Sequence, residues 1–173
     1  IAEYRTGVIN DFAIALRDAA KSVKSDILFT GALMPEGGVT YGTEDISFGD
    51  LHYGQNYADA AEIYDYICPM AYSNSYEAEP QWMADIAEYS VKVGNKVVMG
   101  LQSFYPLTSV NLMGDINAVR GLLPMEGVLG IAHFRHTQFS YAKTNYNYNT
   151  GTMDIEYINA SESSGVKRIE IDV

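Results

Sequence analysis

Two side chains in this sequence stand where bond-breaking chemistry would need them. Glu36 follows the apolar run ILFTGALMP at 27–35, and Tyr72 closes a second run, YDYICPMAY at 64–72. Around them, at the downstream ends of four such runs, lie Met34, Met70, Asn74, Gln102, Phe104, Tyr105, His133, Arg135 and His136. This set is aromatic, amide and hydroxyl, with few charges. Sugars want that mixture: aromatic faces pack on the C–H faces of pyranose rings, while amides and tyrosine hydroxyls fix the ring hydroxyls. The mixture fits a polysaccharide or oligosaccharide partner and fits an ordinary half-exposed fold equally; on the first reading Tyr72 and Glu36 are the catalytic candidates, and all the others except Met34 bind substrate. Arg135 would suit an acidic sugar.

The carboxylates are uneven candidates. Glycoside hydrolysis normally uses two. Pro35-Glu36-Gly37-Gly38 also reads as a solvated turn. Glu44, Asp45 and Asp50 lie in the long loop 36–54, which could arch over a cleft. Asp65 begins its run, so its expected role is pairing or capping. His133 and His136 share a helical face, but on a strand they point to opposite faces. With no third ligand in reach, no metal is expected. Nor is a cofactor: no Gly-rich nucleotide loop follows any run. Cys68, mid-run beside Pro69, reads as a packing thiol.

Something must hold these tips together. Runs starting near 27, 65, 96 and 127 alternate with helical patterns. From about 7 to 23, Val8, Phe12, Leu16, Ala19 and Val23 recur at helical steps, predicting a helix with an apolar stripe on one face. Residues 55–63 are Ala-rich and amphipathic. Residues 80–93 open on Pro80, carry Trp82, Ile86, Tyr89 and Val93 at helical spacing, and end at Gly94. Residues 114–123 supply the last helix. Strand, loop, helix, loop at this spacing predicts βαβ crossovers and a parallel sheet. Runs without polar alternation predict strands buried on both faces.

Composition narrows the function. The 173 residues carry 11 basic and 22 acidic side chains, a net charge of −11, and the longest basic cluster is Lys167-Arg168. Nucleic-acid binding, which needs clustered cations, is excluded. The single cysteine excludes an internal disulfide framework. No apolar stretch approaches the ~18 residues of a membrane span. The N-terminus has the pattern of neither a signal nor a transit peptide and lacks an initiator Met, as expected of a chain cut from something longer. Four strands fit a small open sheet or half of an eight-stranded barrel, which takes about 250 residues. Beyond Lys143, TNYNYNTG is polar and turn-rich. TMDIEYI and VKRIEIDV then read as a β-hairpin.

The order ILFTGALMP, YDYICPMAY, NKVVMGLQSFYP, EGVLGIAHF resembles strands five to eight of secreted glycoside-hydrolase barrels. It is closest to the glycosyl hydrolase-like family 10 barrels, where a D-Y-I-x-P-M-x-Y strand follows a Gly-Gln segment, as Tyr53-Gly54-Gln55 precedes Asp65–Tyr72 here. More distantly it is similar to glycoside hydrolase family 18. The resemblance covers about 5–142. It implies the C-terminal half of a (β/α)8 TIM barrel over 1–144, with 145–173 a hairpin tail or the start of a second β domain. It further implies polysaccharide hydrolysis, an extracellular or cell-surface location, and an upstream strand carrying the general acid. Of the family 18 M-x-Y-D strand, Met70 and Tyr72 carry over, but Ser73 replaces the Asp. Gln102 and Ser103 stand where double-displacement barrels place a nucleophilic Glu. The expected function is a glycosidase-like barrel lacking its general acid. The alternatives are a non-catalytic glycan-binding or surface-interaction barrel, and a self-contained small α/β domain. As a half-barrel, the chain is expected to pair with the upstream half or with itself.

Overall fold

The computed structural model describes residues 1–38, 48–103, 109–134, 142–147, 152–157 and 168–172. One unit, formed by residues 1–102 and 106–134, alternates helices with strands. Its elements are α1 (Ala2–Val23), β1 (Thr30–Leu33), α2 (Tyr57–Ile63), β2 (Tyr66–Pro69), α3 (Pro80–Lys92), β3 (Val97–Gln102), α4 (Ser109–Arg120) and β4 (Val128–Phe134). The strands are parallel and lie in chain order, β1-β2-β3-β4. Parallel neighbours cannot be joined by a tight turn, and the helices are their crossovers.

Local chemistry sets the helix ends. The Asn56 side chain accepts from the Asp59 N–H and caps α2, which satisfies one of the free donors of its first turn. Pro80 opens α3, and Gly94, at φ 99°, takes the left-handed conformation just past its end. Helix α4 begins five residues before the expected start at Gly114. Gly114 lies within α4, where a Cβ would come 3.1 Å from Pro80 Cγ. It is a close-approach residue between helices, not a helix start.

The core draws on one face of the sheet. Leu33, Ile67, Ala71, Val97, Met99, Leu101 and Val128 pack with Tyr57 and Ala60 of α2, Trp82, Met83, Ile86 and Ala87 of α3, and Val119 of α4. Strand pairing puts Gly31 opposite Ile67, Ile67 opposite Val97 and Val97 opposite Val128. The core-facing strand residues therefore share one side, and α2, α3 and α4 all cover that side. Fully burying residues such as Ile67, Met99 and Leu101 contributes about 1.5–3 kcal/mol each. The expectation of strands buried on both faces is corrected. In β1, Thr30 and Ala32 are exposed while Gly31 and Leu33 are buried; in β2, Tyr66 and Cys68 are half-buried. Only β3 is buried nearly throughout.

Helix α1 turns its apolar stripe outward. Its stripe Val8, Phe12, Leu16 and Val23 is 51%, 64%, 47% and 89% exposed. A second set at helical spacing faces inward instead, with Thr6 and Ala13 buried. Asn10 donates to Asp59 (2.8 Å), Arg17 to the Glu62 carbonyl (3.2 Å), and Lys21 pairs with Asp65 at 3.0 Å. The helix is held by polar contacts and leaves its greasy side bare. On the edge strand β4, Leu129, Ile131 and Phe134 are also exposed.

The second unit is formed by residues 103–105 and 135–173. It contains a three-stranded antiparallel sheet, β5 (Ala142–Asn147), β6 (Thr152–Tyr157) and β7 (Arg168–Asp172), in that order. Residues 144–147, read from sequence as polar and turn-rich, belong to β5 and pair with β6. Thr and Tyr are strand formers.

Candidate functional site

Glu36 sits just past the tip of β1. Met34 is extended and Pro35 opens a short 3-10 turn, Pro35–Gly37, for which proline's fixed φ is already suited. Two side chains fasten the approach: Gln55 accepts from the Met34 N–H at 2.7 Å, and the Tyr57 hydroxyl donates to the Met34 carbonyl at 2.8 Å. The Glu36 side chain turns inward and is 5% exposed. Its Oε1 accepts from the Tyr76 hydroxyl at 2.9 Å and from the Tyr53 hydroxyl at 3.3 Å. Its Oε2 is buried with no hydrogen-bond partner among the described residues. The solvated-turn reading of Glu36 is thus corrected: a turn it is, but a buried one. Burial, then the Glu36 charge, push the Tyr57 hydroxyl well above the usual tyrosine range. The packing around Glu36 is close enough to require glycine at two positions. A Cβ on Gly37 would lie 2.5 Å from the Tyr57 ring, and one on Gly49 would lie 2.9 Å from Gly37 Cα.

Tyr72 sits past the end of β2, with its ring stacked on Phe134 of β4 (centroids 5.7 Å, planes 17° apart). Burial raises its hydroxyl, with a smaller push from Cys68. Between β2 and β4 runs β3, and Gln102 on β3 pairs with Phe134. Gln102 is fully buried, and its Oε1 accepts from both the N–H and the Oγ of Ser75 at 2.9 Å. It ties down the segment that carries Tyr72. Met70, half-buried, bridges to Gly100.

A register shift decides which β4 residue joins this group. Val97 pairs with Val128, but Val98 pairs with Gly130, so one extra residue enters β4. Such a bulge turns the following side chains to the other face. His133 is consequently opposite Leu101, on the helix side, and Phe134 is opposite Gln102. Asn74 lines a separate cleft with Ser73. Phe104, Tyr105, Arg135 and His136, together with Glu44 and Asp45, lie outside the described residues. Asp50 accepts from Asn56 (3.0 Å). Asp65 accepts from the Phe29 N–H at 2.7 Å and from Lys21, and these two bonds hold its carboxyl below the usual range.

Sequence reasoning missed the phenols around Glu36 and one carboxyl. Tyr53 and Tyr76 reach Glu36 across 17 and 40 residues; fourteen tyrosines in the chain were the sole signal. Asp115, in α4, is 1% exposed and accepts from the Ser73 Oγ at 2.7 Å. A lone charge in the helical stretch 112–119, LMGDINAV, was the available hint. Among the described residues no three acidic, His or Cys side chains are grouped to hold a metal ion, and no helix is long and apolar enough to cross a membrane. Comparison with known protein families finds no matching family, and comparison with curated proteins finds no match.

Proposed function

We propose that the four-stranded unit is the C-terminal half of a (β/α)8 barrel acting on a polysaccharide or oligosaccharide, with its substrate lying across the strand tips. Two features support the half-barrel. Strands in chain order with α2, α3 and α4 on one side is the winding of a barrel; a doubly wound open sheet carries helices on both sides. Helix α1, along its bare stripe, and the edge strand β4, at Leu129, Ile131 and Phe134, expose apolar surface. That is the surface an upstream half would cover.

The observation that carries the chemistry is Glu36. A carboxyl buried beyond a strand tip, with one oxygen fixed by two phenols, is held in one orientation for proton exchange with a glycosidic oxygen or a water. The stacked Tyr72 and Phe134 offer an aromatic platform beside it in the sheet order, and Gln102 positions Tyr72 through Ser75. Hydrolysis needs a second carboxyl, which this reading assigns to the upstream strands. The strongly acidic charge accords with an extracellular or cell-surface protein.

A non-catalytic glycan binder is the second reading, favoured by Ser73 in place of an acid and by the phenol bonds that also make Glu36 a structural residue. Hydrolysis of a panel of polysaccharides by the full-length gene product, with Glu36→Gln beside it, separates the two. The enzyme reading expects turnover that falls by about 10²–10⁴-fold in the variant. Binding with no turnover selects the binder, and neither binding nor turnover removes both readings.

A further inference from the structure

A cleft of about 240 Å³ opens between the segment after β2 and α4, lined by Ser73, Asn74, Glu77, Ala78, Glu79, Pro80, Asn111 and Asp115. It shares no residue with the cluster of Glu36, Tyr53 and Tyr76. Three of its eight lining residues are acidic and none is basic. Glu77 and Glu79 are exposed at its rim. Asp115 is different: it is 1% exposed, one carboxyl oxygen is engaged by Ser73, and the other, Oδ1, is buried without a hydrogen-bond partner among the described residues. An unpartnered buried carboxylate oxygen is expensive, and a cation at this cleft would satisfy it.

We propose that this cleft is a binding site for a small aliphatic ammonium group, with the free oxygen of Asp115 as its main acceptor. The donor set excludes the obvious rivals. A hard divalent cation needs about six or more converging oxygens, and among the described residues no three acidic side chains are so grouped. An anion would find the start of α3 at Pro80, but a helix dipole amounts to about half a charge against up to three carboxylates. An ammonium needs only a few acceptors: Asp115 supplies a charge-assisted one, the Asn74 and Asn111 amides and Ser73 are neighbours, and Ala78 and Pro80 give methylenes an apolar wall. The volume lies a little below the ~300 Å³ at which drug-sized sites begin, which limits the occupant to a single amino sugar or one end of a short polyamine.

Titration of the 173-residue chain by calorimetry with glucosamine, glucose and putrescine tests this. Saturable binding of one or both amines, with glucose silent, is expected; glucosamine alone points to an amino-sugar ligand and putrescine alone to a polyamine. Asp115→Asn keeps an acceptor for Ser73 but removes the charge, and should weaken amine binding about tenfold or more. The double variant Glu77→Gln/Glu79→Gln alters only exposed residues, and should weaken it by a smaller factor that shrinks with added salt. No saturable amine binding, glucose binding as well as glucosamine, or full amine affinity in Asp115→Asn would each overturn the proposal. A misfolded Asp115→Asn would leave the double variant and the amine-to-glucose contrast to decide.

Discussion

The hydroxyl of Tyr76 reaches back 40 residues to donate a 2.9 Å hydrogen bond to Glu36. This one contact links the segment after β2 to the turn after β1, and holds a carboxyl inside the protein that sequence alone would place in water. Because the acceptor is a carboxylate, Tyr76→Phe should destabilise the chain by about 1.5–3 kcal/mol. Urea denaturation checks it: a lower midpoint at unchanged slope is expected, whereas an unmoved midpoint would make the contact incidental.

The β2–β3 pairing leaves no room at Gly100. A Cβ there would lie 2.7 Å from the Pro69 carbonyl oxygen, and backbone does not yield as a flexible side chain would. Gly100→Ala should therefore cost about 1–3 kcal/mol, seen as a lower thermal midpoint. Gly7→Ala is the control: nothing lies within 4 Å of a Cβ at Gly7 on α1. Alanine also favours a helix, so that variant should not lose stability.

Two aspartates should give opposite pH signatures. Asp65 has its folded carboxyl pulled below the ordinary value by the Phe29 N–H and by Lys21. Its stabilisation is fully present above the unfolded value near 3.9 and is lost as pH falls toward the folded one. Asp65→Asn should thus lower stability at neutral pH, with the gap to wild type closing on acidification.

Asp115 has a raised carboxyl, chiefly through burial. The folded state holds its proton more tightly than the unfolded chain, so the group favours folding most at low pH and loses that advantage as pH rises through the folded value. Asp115→Asn should raise the thermal midpoint at pH 7 and lose the gain toward pH 3. A variant less stable than wild type at both pH values would contradict the sign.

Much of the α/β alternation could be read in advance, because Pro80, Gly94 and four apolar runs punctuate the chain at βαβ spacing. What could not be read was orientation. Helix α1 carries two sets of residues at helical spacing, Val8-Phe12-Leu16 and Thr6-Asn10-Ala13-Arg17-Lys21. Periodicity cannot say which faces inward when the partners are Asp59, Glu62 and Asp65, each more than forty residues on. Likewise, without the extra residue in β4, His133 would pair with Gln102; the bulge hands that place to Phe134. Alternation predicts faces only while register holds. Glu36 could be found as a candidate, but its burial depends on Tyr53, Tyr57 and Tyr76, which no local pattern announces.

The bare apolar stripe of α1 makes a prediction about the chain by itself. With Phe12 at 64% and Leu16 at 47% exposure, it should self-associate, since exposed apolar patches of this kind mark interaction surfaces. Sedimentation velocity should show oligomers, and Phe12→Lys with Leu16→Lys should shift them toward monomer. A sharp monomer boundary for the unaltered chain would favour a self-contained domain.

A crystal structure of the full-length gene product soaked with an oligosaccharide tests the half-barrel reading most directly. A closed cylinder in which β1 and β4 each gain a parallel neighbour, with sugar against Tyr72 and Phe134 and within reach of Glu36, is the outcome expected. A sheet ending at β1 and β4 with helices laid over its second face, or sugar bound far from those tips, would contradict it.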